Sequence, residues 1–175
     1  MVSAWAPYKR IEQAVEACRR LDRPLKIVGA GYADRRRREL ARGRVELLGW
    51  CDRATLRRLY RRCRALLMPG EEDFGMAAVE AISCGAPVIA YAAGGALESV
   101  RDAASGLDNP TGLLYGPQTS EALVGAIVRF ERLQEVFDAG AMHRWARQFA
   151  PERFAESFKS AVEPLLRERG WQSPW

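Results

Sequence analysis

The stretch PGEEDFGMAAVEAISCGAPVIAY, Pro69 to Tyr91, decides how the rest of the chain is read. It leaves an acidic loop (Glu71, Glu72, Asp73), passes Phe74-Gly75, takes up helical spacing over Met76 to Cys84, and stops at Gly85. Glycine is the usual helix stop because it adopts the left-handed conformation without a side-chain clash. The run Pro87-Val-Ile-Ala-Tyr91 that follows is apolar throughout, as a strand covered on both faces must be. An acidic loop suits the start of the helix, whose free N–H groups and aligned peptide dipoles favour negative charge. The same end can hold a ligand's phosphate.

Working outward, short apolar runs alternate with helical periodicity. Lys9 to Leu21 reads as a helix with Ile11, Ala14, Val15 and Cys18 on one face, and Pro24 to Gly29 as a strand. Arg35 to Arg42 reads as a short polar helix, Val45 to Gly49 as a strand, Thr55 to Cys63 as a helix, and Ala65 to Met68 as a strand ending at Pro69-Gly70. Beyond Tyr91 come Gly94-Gly95, a helix from Ala96 to Ala103, and a last strand at Gly112 to Tyr115. Strands of this kind separated by helices predict a single α/β domain, a doubly wound parallel sheet of Rossmann type. From Thr119 the pattern is helix only: Ser120 to Leu133, Ala139 to Phe149, and a helix opened by Pro151 that runs to about Arg167. The domain is therefore read as residues 1–168, with 118–168 its helical part and 169–175 a tail bearing Trp171 and Trp175.

In a doubly wound sheet the ligand lies at the carboxyl ends of the strands. Gly29-Ala30-Gly31, Gly49-Trp50, Pro69 to Gly75 and Tyr91 to Gly95 all fall there, so four loops form the expected site. Gly75 lets a ligand approach the backbone, and the N–H groups of Gly75, Met76 and Ala77 point into the crevice. Glu80, about a turn and a half into the helix, is placed to accept bonds from ribose hydroxyls.

Composition narrows the alternatives. Half the chain is apolar and over a quarter charged, which is ordinary for a globular protein and excludes disorder. No leader or membrane-length apolar run is evident, so the expectation is a soluble cytoplasmic chain. Cys18, Cys51, Cys63 and Cys84 lack metal-ligand spacing and read as buried thiols. The net charge of +5 is carried by arginine. Arg35 to Arg38 form one run, while Arg53, Arg57, Arg58, Arg61, Arg62 and Arg64 take the wet face of a helix whose inner side is Leu56, Leu59, Tyr60 and Cys63. A solvated face is the plain reading of these arginines, and an anionic partner the sharper one.

The stretch EDFGMAAVEAISCGAPVIAYAAGGALESV resembles the nucleotide-sugar-binding signature of the retaining glycosyltransferases of family 4, whose two-Rossmann-domain fold is called GT-B. Glu72 and Glu80 match the family's E-x7-E element, and PYKRIEQAVEA (Pro7 to Ala17) resembles its lysine-bearing segment. LKIVGAGY, VELLGW and GGALESV follow the family's order, and PYKR with EEDFG is most similar to the mannosyltransferase-like branch. The resemblance covers Met1 to Phe158 and corresponds to the C-terminal, donor-binding half of such an enzyme.

The resemblance implies that Lys9 contacts the donor diphosphate, Glu80 the ribose and Glu72 the hydroxyls of the transferred hexose. The backbone of Phe74, Gly75, Met76 and Ala77 would hold hexose and phosphates, with Gly29, Gly31, Trp50 and Cys51 around the nucleotide. The donor would be a nucleotide-diphosphate sugar such as GDP-mannose, used without a metal or cofactor. Members often carry an arginine a few residues before the lysine; here Ala4 stands at that position, and Arg10 is the nearest replacement. The acceptor half would come from an N-terminal domain or a separate partner chain; a homodimer and a peripheral contact with the inner membrane face are further options. His143 is the sole histidine and stands far along the chain from these loops, so it offers no base. Two other classes fit less of the sequence. A basic nucleic-acid-binding protein would draw on the arginines, but no such signature is present. An NAD-linked enzyme would need G-x-G-x-x-G, where this chain reads Gly29-Ala-Gly31-Tyr-Ala-Asp34.

Overall fold

Every strand in the computed structural model, which describes residues 1–30 and 39–171, runs parallel to its neighbours. β1 (Leu25–Val28) pairs with β2 (Val45–Gly49), and β3 (Leu66–Met68), β4 (Val88–Tyr91) and β5 (Gly112–Tyr115) pair in that order. On the free edge of β1, Val2 forms a parallel bridge to Val28. Helices α1 (Ile11–Arg20), α2 (Arg53–Arg62), α3 (Met76–Ser83) and α4 (Ala96–Ser99) separate the strands, and α5 (Ser120–Arg132), α6 (Ala139–Ala146) and α7 (Pro151–Glu168) complete the chain. The doubly wound α/β expectation is met. Gly31, the run Arg35 to Arg38 and Trp175 lie outside the described residues.

The period-two alternation of the strands divides the interior into two apolar layers. Leu67, Ile89 and Leu113 face α1 and α5, where they meet Ala14, Val15, Leu123 and Ile127. Leu66, Met68, Val88 and Ala90 face the other way, against Tyr60 of α2, Ile82 of α3 and Met142 of α6. Both faces of the strands are therefore dry, which is why their sequences are apolar throughout rather than alternating.

Two boundaries, and the burial of three cysteines, differ from expectation. Lys9 is not helical: Pro7–Lys9 form one 3-10 turn, and Arg10, left-handed at φ 52°, separates it from α1. Pro7 presets the φ of that turn, and the break leaves Lys9 directed across to the loop after β3. The expected helix Ala96 to Ala103 stops at Ser99, because Val100 turns extended and Arg101 N–H donates to Thr111 Oγ1 at 2.8 Å. Of the cysteines, Cys18 is buried as expected, whereas Cys63 is exposed just past the end of α2 and Cys51 and Cys84 are half-buried; all four are free thiols. The arginine face is as expected: Arg53, Arg57, Arg58, Arg61, Arg62 and Arg64 are all exposed, and Tyr60 is buried beneath them.

Candidate functional site

Gly75 is where the loop after β3 becomes α3. Its φ of +81° is left-handed, so the loop turns sharply at a residue without a side chain, and no side chain caps the helix. The comparison with neighbouring helices is informative: Asp52 caps α2, Thr119 caps α5 and Asp138 caps α6, each through a side-chain oxygen. At α3 the first intrahelical donor is Ala78, whose N–H reaches Gly75 O at 2.8 Å. The N–H groups of Met76 and Ala77 are thus left for water or an anion.

Two glycine contacts hold the loop against its surroundings. A Cβ on Gly70 would lie 2.7 Å from Tyr8 O and 2.8 Å from Lys9 Cα, so glycine there lets the Lys9 turn press against the loop. A Cβ on Gly95 would lie 2.4 Å from Phe74 Cα, so the Gly94-Gly95 turn backs the loop from the other side, where Gly95 N–H also donates to Glu72 O at 2.8 Å. The Phe74 ring meets Phe149 edge-on at 5.7 Å, and Phe149 meets Trp145, so the helical C-terminal part pins the loop through an aromatic chain.

With the loop so placed, the Lys9 ammonium donates to the Glu72 carboxylate. Their side chains are only 15% and 23% exposed, so the pair is more shielded than a surface ion pair. Both residues line a cleft of about 630 Å³ at the carboxyl ends of β1, β2 and β3, together with Gly29, Trp50, Cys51 and Phe74 to Ala77. Trp50 is 76% exposed and Met76 64% exposed, which leaves two broad apolar side chains free to cover a flat ring at the rim.

Two of the expected site residues stand elsewhere. Arg10 is exposed and does not line the cleft, since its left-handed backbone belongs to the break before α1. It does not replace the arginine missing at Ala4, which itself lines the cleft. Glu80 is also outside the lining, and its carboxylate accepts from Tyr60 Oη at 3.1 Å. Burial and the Glu80 charge push the Tyr60 phenol well above its ordinary range, so it remains a donor. His143, on α6, has Nδ1 3.0 Å from Ser83 O. Ser83 closes α3 at the end opposite the cleft, roughly 12 Å away along the helix axis.

Ser3 and Asp73 line the cleft without having been singled out. Ser3 belongs to the segment Met1 to Trp5, which leads into the Lys9 turn. A Cβ on Gly29 would lie 1.8 Å from Ser3 O, so a glycine after β1 is what admits this segment. Among the described residues no cluster of His, Cys, Asp and Glu could hold a metal ion.

The family model of the glycosyl transferases group 1 matches residues 1–148. The chain belongs to this family. As a group 1 glycosyltransferase it is 34% identical over 155 residues to a D-inositol 3-phosphate glycosyltransferase of Jonesia denitrificans, covering 81% of this chain and 36% of that protein. It is 32% identical over 121 residues to an uncharacterised glycosyltransferase of Methanocaldococcus jannaschii, covering 64% of this chain and 34% of the relative. Among solved structures, the sucrose-phosphate synthase of Thermosynechococcus elongatus superposes with a TM-score of 0.79 at 27% identity, over 95% of this chain and 45% of that one. The group 1 glycosyltransferase chain thus spans about a third of the length of these curated relatives and under half of the solved one. Among the described residues no helix is long and apolar enough to cross a membrane.

Proposed function

We propose that this chain is the donor-binding half of a hexosyltransferase, taking the sugar, mannose on the motif resemblance, from a nucleotide-diphosphate sugar such as GDP-mannose with retention of configuration. The observation that carries the reading is the Lys9–Glu72 pair set beside the uncapped start of α3. On donor binding the two side chains part. The Lys9 ammonium and the N–H groups of Met76 and Ala77 take the diphosphate, where leaving-group charge accumulates as the glycosidic bond breaks. The Glu72 carboxylate accepts from hexose hydroxyls and fixes the ring relative to an incoming acceptor. Trp50 covers the base, and Glu80 turns from Tyr60 to the ribose. No side chain in the cleft is assigned as a covalent nucleophile.

The acceptor half lies on another domain or chain, so the 175 residues bind donor and transfer sugar poorly alone. Calorimetric titration with GDP, GDP-mannose, UDP, UDP-glucose and NAD tests this. One nucleotide sugar should bind, and Lys9→Ala should weaken it by about tenfold or more, roughly the 1.4 kcal/mol of one charge-assisted contact. Equal, weak heats from all five ligands, unchanged in the variant, would overturn the assignment.

A further inference from the structure

Helices α2 and α3 both begin at the cleft: Leu56 of α2 lines it, as do Met76 and Ala77 of α3. Tyr60 stands four residues after Leu56, and Glu80 four residues after Met76. The two therefore meet one helical turn further on, about 6 Å along the axes, and neither lines the cleft. There the Tyr60 hydroxyl donates to Glu80 Oε2 at 3.1 Å. The bond runs sideways from helix to helix and keeps the carboxylate out of the cleft.

Nothing in α3 itself holds the carboxylate in that position. A helical side chain leans toward the helix N-terminus and lies over the preceding turn. For Glu80 that turn carries Met76 and Ala77, and Ala77 offers only a methyl group, so a carboxylate released from Tyr60 has room to reach the cleft. Among the described residues the Tyr60 hydroxyl is the one partner of the Glu80 carboxylate.

The two partners are unequal. Glu80 is exposed, so its carboxylate stays hydrated when it turns. Tyr60 is 4% exposed and belongs to the apolar layer of Leu66, Met68 and Ile82. Its hydroxyl has no second acceptor among the described residues, and a buried donor left unpaired is costly. Lys9 and Glu72 differ in this respect, because on parting the ammonium goes to the diphosphate and the carboxylate to the hexose. Tyr60 receives nothing in exchange for Glu80.

We infer that the Tyr60 hydroxyl is a brake on ribose binding, holding Glu80 toward α2 and setting how hard it is to turn into the cleft. The inference rests on the ribose role proposed for Glu80 and adds the residue that regulates it. A nucleotide with both ribose hydroxyls must draw Glu80 away from Tyr60, whereas one lacking them leaves the bond intact. Tyr60 is thus a positioning residue that acts through Glu80 and touches no donor atom.

The test titrates GDP and UDP, each beside its 2′,3′-dideoxy form, into the intact chain and into Tyr60→Phe. The phenyl ring keeps the apolar packing and removes only the hydroxyl. The ribonucleotide that binds should bind the variant about fivefold more tightly, and the dideoxy form should bind both proteins alike. On a Glu80→Ala background the same substitution should leave affinity unmoved. In the unsubstituted chain with ¹³C-labelled tyrosine, the Tyr60 Cζ resonance should shift with the ribonucleotide and stay in place with the dideoxy form. An unchanged or weaker affinity of Tyr60→Phe for the ribonucleotide would overturn the inference, as would equal tightening toward both forms or a Cζ resonance indifferent to the ribonucleotide. Failure of the Glu80 assignment itself looks different: the two forms would bind the unsubstituted chain equally, Glu80→Ala would alter neither, and the brake would fall with it.

Discussion

At the scale of single residues, the cleft is governed by which partner each charge gives up. Lys9 and Glu72 neutralise one another, so neither stands as a bare charge in a partly dry cleft. Their roles separate by ligand. Lys9→Ala should weaken GDP and GDP-mannose alike, because both carry the diphosphate. Glu72→Gln should weaken GDP-mannose several-fold and leave GDP nearly unchanged, because only the former carries the hexose; equal effects on the two would remove Glu72 from the sugar. Gly70→Ala tests the approach of the Lys9 turn, since its methyl group would meet Tyr8 O and Lys9 Cα, both backbone. Overpacking of this kind costs about 1–3 kcal/mol, and thermal unfolding should show it together with loss of donor affinity.

Among the elements, α3 is the one left open at its start, and a cap placed there should compete with ligand. Thr119→Ala at the start of α5 is the contrasting case: it removes the bond to Ala122 N–H and should cost about 1 kcal/mol in denaturant unfolding with donor binding intact. The elements themselves were legible in the sequence because both sides of the strands are buried and the helices are amphipathic, so Pro87 to Tyr91 and Ile11 to Cys18 carry their period openly. The loop before α3 was legible for another reason, since glycine and acidic residues there answer to backbone geometry. What could not be read locally depends on contacts far apart in the chain. The break at Arg10 follows from the Lys9 turn meeting the loop at Gly70, and the early end of α4 follows from Thr111 reaching Arg101. Glu80 shows the same limit: its spacing from Glu72 places it on α3, but only packing brings Tyr60 of α2 to its carboxylate.

Across the whole molecule, the two halves of the sheet are tied at one carboxylate. Glu131 on α5 accepts from Arg23, just before β1, at 2.7 Å and from Arg64, just before β3, at 3.0 Å. The Arg23 bond, offset in part by burial and aided by the charges of Arg23 and Arg64, holds the Glu131 carboxyl below its ordinary 4.5. A carboxyl lowered in the folded state stabilises it above the unfolded value and loses that contribution as pH falls through the folded value. Thermal midpoints should therefore drop as pH falls below 4.5, and Glu131→Gln should show a shallower drop over the same range; parallel curves would deny the tie a part in acid unfolding. Val2, bridged to Val28 at the free edge of β1, lines the Lys9–Glu72 cleft on one side and a second concavity of about 590 Å³ between β1 and β3 on the other. The partition between the two spaces rests on this side chain, so Val2→Ala should loosen donor binding without removing any contact to the diphosphate, and calorimetry on the variant measures how far the cleft depends on the stiffness of that wall.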